Sequence, residues 1–320
     1  MLPAEEADRI LAELEKEELE GLDADWGFWA RPKQKLPPDL IEREIDGIVR
    51  KIPWETWLIN AGRGFGKTKT GAETVRQWIC GPTPLSGNGN EYIAIIAETS
   101  KDARDVMIEG PSGILSCHPP AFRPIYEPSK SRLTWPNGAR GYVYNATEPN
   151  QLRGPQFDKA WGDEIAKWAH LQEMWDNLQM GLRKGARPQS ILTTTPRPLR
   201  FLRELIKDPY TVLTTGSSYE NKANLTGSWF TRLERKYEGT RLGRQELHAE
   251  IIDDNPYALW KLSQIDAARI HKDPISGKYS PSLPGWKRIV VAVDPPVKTG
   301  EDADECGIIC AEIVTRKLIH

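Results

Sequence analysis

The hydrophobic positions along this chain change period several times, and each change predicts an element. Residues 4–22 place Ile10, Leu11, Leu14, Leu19 and Leu22 at helical spacing among glutamates, which predicts a surface helix with a solvated acidic face. "FWARPKQKLPPD" (Phe28–Asp39) is punctuated by prolines that exclude a helix, and the pattern over Leu40–Val49 then predicts one. From Trp54 onward apolar runs alternate with amphipathic ones. "WETWLIN" (Trp54–Asn60) predicts a buried strand, Thr68–Cys80 a helix, and "EYIAIIAE" (Glu91–Glu98) a second buried strand. A further helix begins near Ser100, which suits an N-cap. "SRLTWPNGARGYVY" (Ser131–Tyr144) reads as a hairpin turning on Asn137-Gly138. "FDKAWGDE" (Phe157–Glu164) and "QSILTTTP" (Gln189–Pro196) add two more strands. Strands alternating with helices predict an α/β fold around a largely parallel sheet.

Around "KDPISGKYSPSLPGW" (Lys272–Trp286) the pattern gives way to Pro, Gly and Ser, the composition of a linker. "RIVVAVD" (Arg288–Asp294) and "ECGIICAEIV" (Glu305–Val314) then read as two strands. Two strands cannot bury a core alone, so a second domain is expected to start here and to be cut off at His320.

Composition adds boundaries. The chain has 320 residues, 39% hydrophobic and 28% charged, as a soluble globular protein of about two domains does. No apolar run approaches the ~20 residues of a membrane span, and Glu5, Glu6 and Asp8 make the start unlike a signal peptide. A cytosolic site is expected. Cys80, Cys117, Cys306 and Cys310 show neither a disulfide framework nor zinc-site spacing, so reduced thiols are expected. A net charge of −2 supplies no global attraction to nucleic acid, and any DNA contact must come from a local patch. The twelve tryptophans read mainly as core or interface anchors.

The candidate chemistry lies where strands end. "LINAGRGFGKT" (Leu58–Thr68) has the form of a phosphate-binding loop between a strand and a helix, with Ala61 where the pattern G-x-x-x-x-G-K-[ST] has its first glycine. In such a loop backbone N–H groups wrap phosphates at a helix N-terminus. Lys67 would contact the β- and γ-phosphates, Thr68 would hold Mg²⁺ and Gly66 belongs to the contacting set, while Gly62 and Gly64 supply backbone freedom. At the strand exit the methyl of Ala61 is tolerable if the backbone keeps a negative φ.

Hydrolysis needs a further metal-organising acid and a base for water, and Asp163-Glu164 offers that pair at a strand end. Trp161-Gly162 replaces the aliphatic run usual before it. Thr193, Thr194 and Thr195 end the next strand, where their hydroxyls could sense the γ-phosphate. Arg63 and Arg153 are the arginines to watch, because the planar guanidinium stabilises charge on a transferring phosphoryl group. Arg153 could serve its own site or a neighbour's. Asp294 ends a strand where a carboxylate could ligate metal, with Asp302, Asp304 and Glu305 following.

These segments in this order, from Phe28 to Asp294, resemble the large terminase subunit of tailed bacteriophages, which pumps DNA into empty capsids. The segments are "FWARPKQKLPP", "WETWLINAGRGFGKTKTGAETV", "NQLRGPQFDKAWGDEIAKW", "ILTTTPRP", "GTRLGRQELHAEIIDDNPYALW" and "RIVVAVDPP". Terminases often depart from the first P-loop glycine and keep an arginine in the loop, so Ala61 with Arg63 supports this branch. The resemblance implies an ASCE-type P-loop ATPase with a mostly parallel central sheet flanked by helices, followed by the start of an RNase H-like nuclease domain. It implies ATP and Mg²⁺ at the first, and Mg²⁺ or Mn²⁺ held in part by Asp294 at the second. Gln34 would contact adenine; Asp163 and Glu164 would be the Walker B acid and the catalytic glutamate; Thr193–Thr195 the coupling motif; Arg153 a finger reaching a neighbouring subunit. Whether Arg63 or Arg153 is the principal arginine stays open.

The implied organisation is an N-terminal adenine-side region (1–53), an ATPase core (54–216), a lid (217–271), a linker (272–287) and the incomplete nuclease (288–320). The implied partners are double-stranded DNA of any sequence, a portal protein, a small terminase subunit and further copies in a ring, in the host cytoplasm on the procapsid. A helicase-like ATPase and a nucleotide-binding assembly or regulatory module are the alternatives, the second disfavoured by Glu164 beside the Mg²⁺ ligand.

Overall fold

Runs of Ile, Leu and Ala buried on both faces can only be central strands of a sheet covered by helices. In the computed structural model, which describes residues 25–80 and 92–250 and, as backbone strands alone, 271–272, 279–280, 288–294 and 307–313, three such runs lie at the centre of the main sheet. The strands of the first unit are β1 (Leu40–Ile45), β2 (Ile48–Pro53), β3 (Thr56–Ala61), β4 (Tyr92–Ala97), β5 (Ile125–Glu127), β6 (Arg132–Thr134), β7 (Arg140–Asn145), β8 (Lys159–Gly162), β9 (Gln189–Thr194) and β10 (Thr211–Gly216). Eight of them form one sheet in the order β10-β3-β9-β8-β4-β7-β6-β5. From β10 to β7 every neighbour is parallel, and β7, β6 and β5 continue antiparallel. The strand that ends in threonines, β9, therefore lies between β3, which leads into the glycine-rich loop, and β8, which leads to Asp163.

Successive side chains of a strand point to opposite faces. Trp57, Ile59, Ile93 and Ile95 pack on one side of the sheet against helix α1 (Lys67–Cys80), and Leu58, Ala94, Ile96 and Leu192 on the other against α2 (Leu171–Gly181) and α3 (Arg200–Lys207). Trp161 explains its own departure from an aliphatic run. Its ring lies against Gly71 of α1, where a methyl group would stand 2.2 Å from Cε2. Beside it Gly162 leaves room for the ring of Trp168. Tryptophan opposite glycine twice over fills the space that aliphatic side chains would otherwise fill.

The helix expected over Leu40–Val49 is a β-hairpin. β1 and β2 pair antiparallel, joined by Asp46 (φ 53°) and Gly47 (φ 76°), the left-handed pair of a two-residue hairpin turn. Arg43 ties this hairpin to the edge of the main sheet by donating to Pro209 O at 3.2 Å and Thr211 O at 2.9 Å. The helix expected near Ser100 is capped one residue earlier: the Thr99 hydroxyl accepts from Asp102 N at 3.1 Å. The helix expected over 4–22 lies outside the described residues.

After β10 the chain forms α4 (Gly227–Tyr237) and α5 (Arg241–Glu246). The chain divides after Asp253 into a second unit, Asp254–His320. There His271–Lys272 pairs with Tyr279–Ser280, and Arg288–Asp294 pairs antiparallel with Gly307–Ile313, Asp294 standing at the strand end opposite Gly307. Among the described residues no helix is long and apolar enough to cross a membrane.

Candidate nucleotide site at the carboxyl end of the sheet

The parallel strands β3, β8 and β9 deliver three chain segments to one edge, the place where open α/β sheets bind ligands. Ala61 is fully buried as the last residue of β3 and keeps an ordinary negative φ, so its methyl is tolerated. Gly64 (φ 78°) and Gly66 (φ 94°) take the left-handed turns of the loop. Gly62 is required by space instead: a methyl there would stand 2.7 Å from the carbonyl oxygen of Glu246. The loop is also gripped by its neighbours. Arg63 N donates to Glu246 O at 2.7 Å, Asn221 Nδ2 to Gly64 O at 2.6 Å, Ser218 Oγ to Arg63 O, and Arg31 to Phe65 O.

Lys67 opens α1 with its side chain only 7% exposed. Its ammonium donates to Ala61 O at 2.9 Å, Gly62 O at 3.2 Å and Thr195 Oγ1 at 3.2 Å, and lies 3.4 Å from Glu164 Oε1. Thr68 Oγ1 lies 3.4 Å from Asp163 Oδ2, and Thr193 Oγ1 donates to the other carboxyl oxygen. Asp163 is buried, and desolvation pushes its carboxyl up to about 6 despite the Thr193 hydroxyl.

Glu164 follows in the left-handed region (φ 50°), an uncommon place for a glutamate. Its backbone N–H reaches Thr193 Oγ1 at 3.4 Å, and its carboxylate accepts from Thr195 N and Thr195 Oγ1, each at 3.4 Å. Burial alone would raise the Glu164 carboxyl, but Lys67 and Lys167 outweigh it and hold the group below the usual range. Thr194 turns away and accepts from Ala166 N at 3.2 Å, fixing the chain after the acidic pair. The three threonines thus orient Asp163, the backbone behind Glu164, and the Glu164 carboxylate with Lys67.

Arg63, Gly64, Gly66, Lys67, Thr68, Glu164 and Thr195 line one cavity of about 410 Å³, a size suited to a small-molecule ligand. Gln34 and Arg153 are not among the residues that line this cavity. Gln34 is buried beneath the loop, where Nε2 donates to Thr70 Oγ1 at 3.0 Å and Oε1 accepts from Arg31 Nε at 3.0 Å. Arg153 lies beside α2, with its side chain 66% exposed, 3.8 Å from Glu173 and 3.4 Å from Asn177 Oδ1. Asp294 belongs to the second unit. Conversely, Lys69, Lys167, Arg197 and Glu246 line the cavity although no local pattern marks them, save that Arg197 closes the segment "ILTTTPRP".

A phosphate-binding loop after β3, an acidic pair after β8 and a threonine-ended strand inserted between those strands define a P-loop ATPase of the ASCE type. The chain belongs to the large terminase subunits, the ATP-driven DNA-packaging motors of tailed phages: the family described as "Terminase large subunit, T4likevirus-type, N-terminal" matches residues 58–267. Among solved structures, the large terminase of a thermophilic bacteriophage in complex with ADP superposes with TM-score 0.52 at 12% identity over 92% of this chain and 64% of that one. The ATPase domain of the Thermus phage P74-26 large terminase gives 0.46 at 16% identity over 62% of this chain and 89% of that one. The HK97 bacteriophage large terminase gives 0.48 at 14% identity over 62% and 47%. The chain thus spans 47% to 64% of these two longer terminases.

Proposed function

We propose that this cavity binds ATP with Mg²⁺ and hydrolyses it with Glu164 as general base, and that hydrolysis drives double-stranded DNA into a procapsid. The observation that carries the proposal is the convergence of Lys67, Thr68, Asp163, Glu164 and Thr195 within 3.2–3.4 Å contacts at one sheet edge. A binding-only module has no need of a base held beside the metal-binding acid.

The donor set fits magnesium. Asp163 is a buried carboxyl whose raised pKa signals an anion short of compensating charge, and the Thr68 hydroxyl stands next to it. A hydroxyl and a carboxylate are hard ligands of the kind that Mg²⁺ takes, so Thr68 and Asp163 would hold the ion, which would offset the negative charge of the phosphates. Lys67 can exchange Glu164 and Thr195 for phosphate oxygens. Glu164 is then released to accept a proton from water while its own strained backbone, held by Thr193, keeps the carboxylate aimed.

Five contacts to the loop backbone come from outside it, from Arg31, Gly216, Ser218, Asn221 and Glu246, and the last three lie in 218–246, so a change at the γ-phosphate has a direct mechanical route into the lid (217–271). Arg153, exposed and away from its own cavity, suits a finger acting on the next subunit of a ring. Gln34 could reach adenine only by giving up Thr70. Asp294, at a strand end, would contribute to a nuclease metal (Mg²⁺ or Mn²⁺) in the domain that starts at 288. A portal protein, a small terminase subunit and sequence-independent DNA complete the assembly, which would work in the host cytoplasm on the procapsid.

Mixing tests the ring. Arg153→Ala and Glu164→Gln subunits, each inactive alone on portal-bearing capsids with DNA, should regain ATP turnover when co-assembled, since each supplies what the other lacks. Absence of complementation would contradict an arginine acting between subunits.

A further inference from the structure

The cations around the cavity differ in whether they are already engaged; Lys167, exposed at its edge, acts through its charge on Glu164. Lys67 is held by two carbonyls and a hydroxyl. Lys69 pairs with Glu73 at 3.1 Å, and Arg63 leans on Glu246 at 3.5 Å. Arg197 lines the same cavity, is exposed, and makes no side-chain hydrogen bond or ion pair among the described residues.

An unengaged surface arginine is ordinary; the way this one is presented is not. Arg197 lies in Thr195-Pro196-Arg197-Pro198, directly after β9. Each proline fixes its own φ and forces the residue before it into extended conformations. Thr195 and Arg197 both precede a proline, so the path from β9 to Arg197 is nearly rigid. Thr195 is itself anchored, by Lys67 at 3.2 Å and by Glu164 at 3.4 Å. The backbone that carries the Arg197 guanidinium is thus ordered in advance, so that only the side chain has to be ordered on a ligand. Neither Arg63, carried by the loop and turned to Glu246, nor Arg153, beside α2, is placed this way.

We propose that Arg197 is an arginine acting within its own subunit on the γ-phosphoryl group, a role that rests on the hydrolytic reading above. Water attacks the γ-phosphorus, the bond to the β–γ bridging oxygen breaks, the proton passes to Glu164, and ADP leaves with the electron pair. Charge spreads over the γ-phosphoryl oxygens during this transfer, and the planar fork of Arg197 donates N–H groups to them. Arg153 is then free to serve the neighbouring site, so the two arginines divide the work between cis and trans.

The test compares wild type, Arg197→Ala, Arg197→Gln and Arg197→Lys in the full chain, measuring binding of ADP, ATPγS and ADP with aluminium fluoride, and turnover with DNA. Arg197→Ala and Arg197→Gln should leave ADP affinity unchanged and weaken ATPγS about tenfold. Both should weaken the aluminium fluoride complex further and lower kcat by about 10³-fold, the lower bound for arginines of this kind. Arg197→Lys should recover part of the ATPγS affinity but little of kcat, because an ammonium keeps the charge and loses the fork. Two unchanged profiles, for Arg197→Ala and Arg197→Gln, in a wild type that discriminates ATPγS from ADP would overturn the role of Arg197 alone. A wild type that binds no nucleotide would overturn the hydrolytic reading and this one together.

Discussion

Two lysines are buried at opposite ends of the same parallel sheet, and they differ in what holds them. At the amino end Lys159, 4% exposed, opens β8 and donates to Arg187 O at 2.8 Å and Gln189 Oε1 at 2.6 Å. Its ammonium lies 5.3 Å from the centre of the Trp78 ring. Burial, helped by Arg187, pushes its pKa down to about 8; it too borders a cavity, of about 770 Å³, but its acceptors are a backbone carbonyl and an amide oxygen, with no glycine-rich loop beside them among the described residues. At the carboxyl end Lys67 faces a cavity, and two of its neighbours, Glu164 and Thr195, stand where phosphate oxygens could replace them. Burial of a cation is therefore no sign of function by itself. The sign is a set of acceptors that a ligand can displace.

Exchanging each lysine for alanine should break the molecule in different ways. Lys67→Ala should cut ATP turnover by at least about 10³-fold, equivalent to roughly 4 kcal/mol in the barrier, while the thermal midpoint stays close to that of the parent. Lys159→Ala strands two buried acceptors and should cost about 2–3 kcal/mol of stability in denaturant melts, with the KM for ATP unchanged. Equal stability losses in both variants would erase the contrast.

His118 sharpens it with pH. This buried ring accepts from Trp135 Nε1 at 2.8 Å, contacts Ile114 O through Nδ1 at 2.7 Å, and burial pushes its pKa down to about 4. An unfolded histidine titrates near 6.5. The His118 contribution is therefore full above pH ~6.5 and falls as the unfolded chain takes up the proton that the folded chain refuses. It should change by roughly 1.4 kcal/mol per pH unit down to the folded value, read as the difference between the parent and His118→Phe, because the raised Asp163 carboxyl acts in the opposite sense. His118→Phe should remove this contribution without a selective loss of turnover. The smallest effect is expected at the loop's odd position. Ala61→Gly should lower stability by about 0.5–1 kcal/mol, the entropic cost of glycine in a strand, and leave turnover within a factor of two.

The parts of the site legible in the sequence are those whose chemistry requires contiguous residues. A glycine-rich loop that runs into a helix has to be written as Gly62–Thr68, and the acid and base proposed for metal and water as the neighbours Asp163-Glu164. The strand ending in Thr193–Thr195 is legible too, but its place between β3 and β8 is set by the sheet order, which no local pattern specifies. Residues that meet only through the tertiary fold left no local trace: Ser218, Asn221 and Glu246 reach the loop from a segment more than 150 positions away. The N-terminal hairpin was misread because Ile41, Ile45, Ile48 and Val49 satisfy helical spacing. The Asp46-Gly47 turn decided the matter, and Val49 stands 68% exposed on the resulting strand. Gln34 was expected at adenine, and a buried amide committed to Thr70 and Arg31 cannot be told from a ligand-facing one by sequence.

The most direct test of the account is a single-turnover measurement of ADP formation at saturating ATP, with DNA and assembled capsids, in the parent and in Glu164→Gln. The amide keeps the size of the side chain but cannot take a proton from water. The account predicts ATP bound in both, a fast chemical step in the parent, and at least a hundredfold slower step in the variant. A chemical step of equal rate in the two would contradict it.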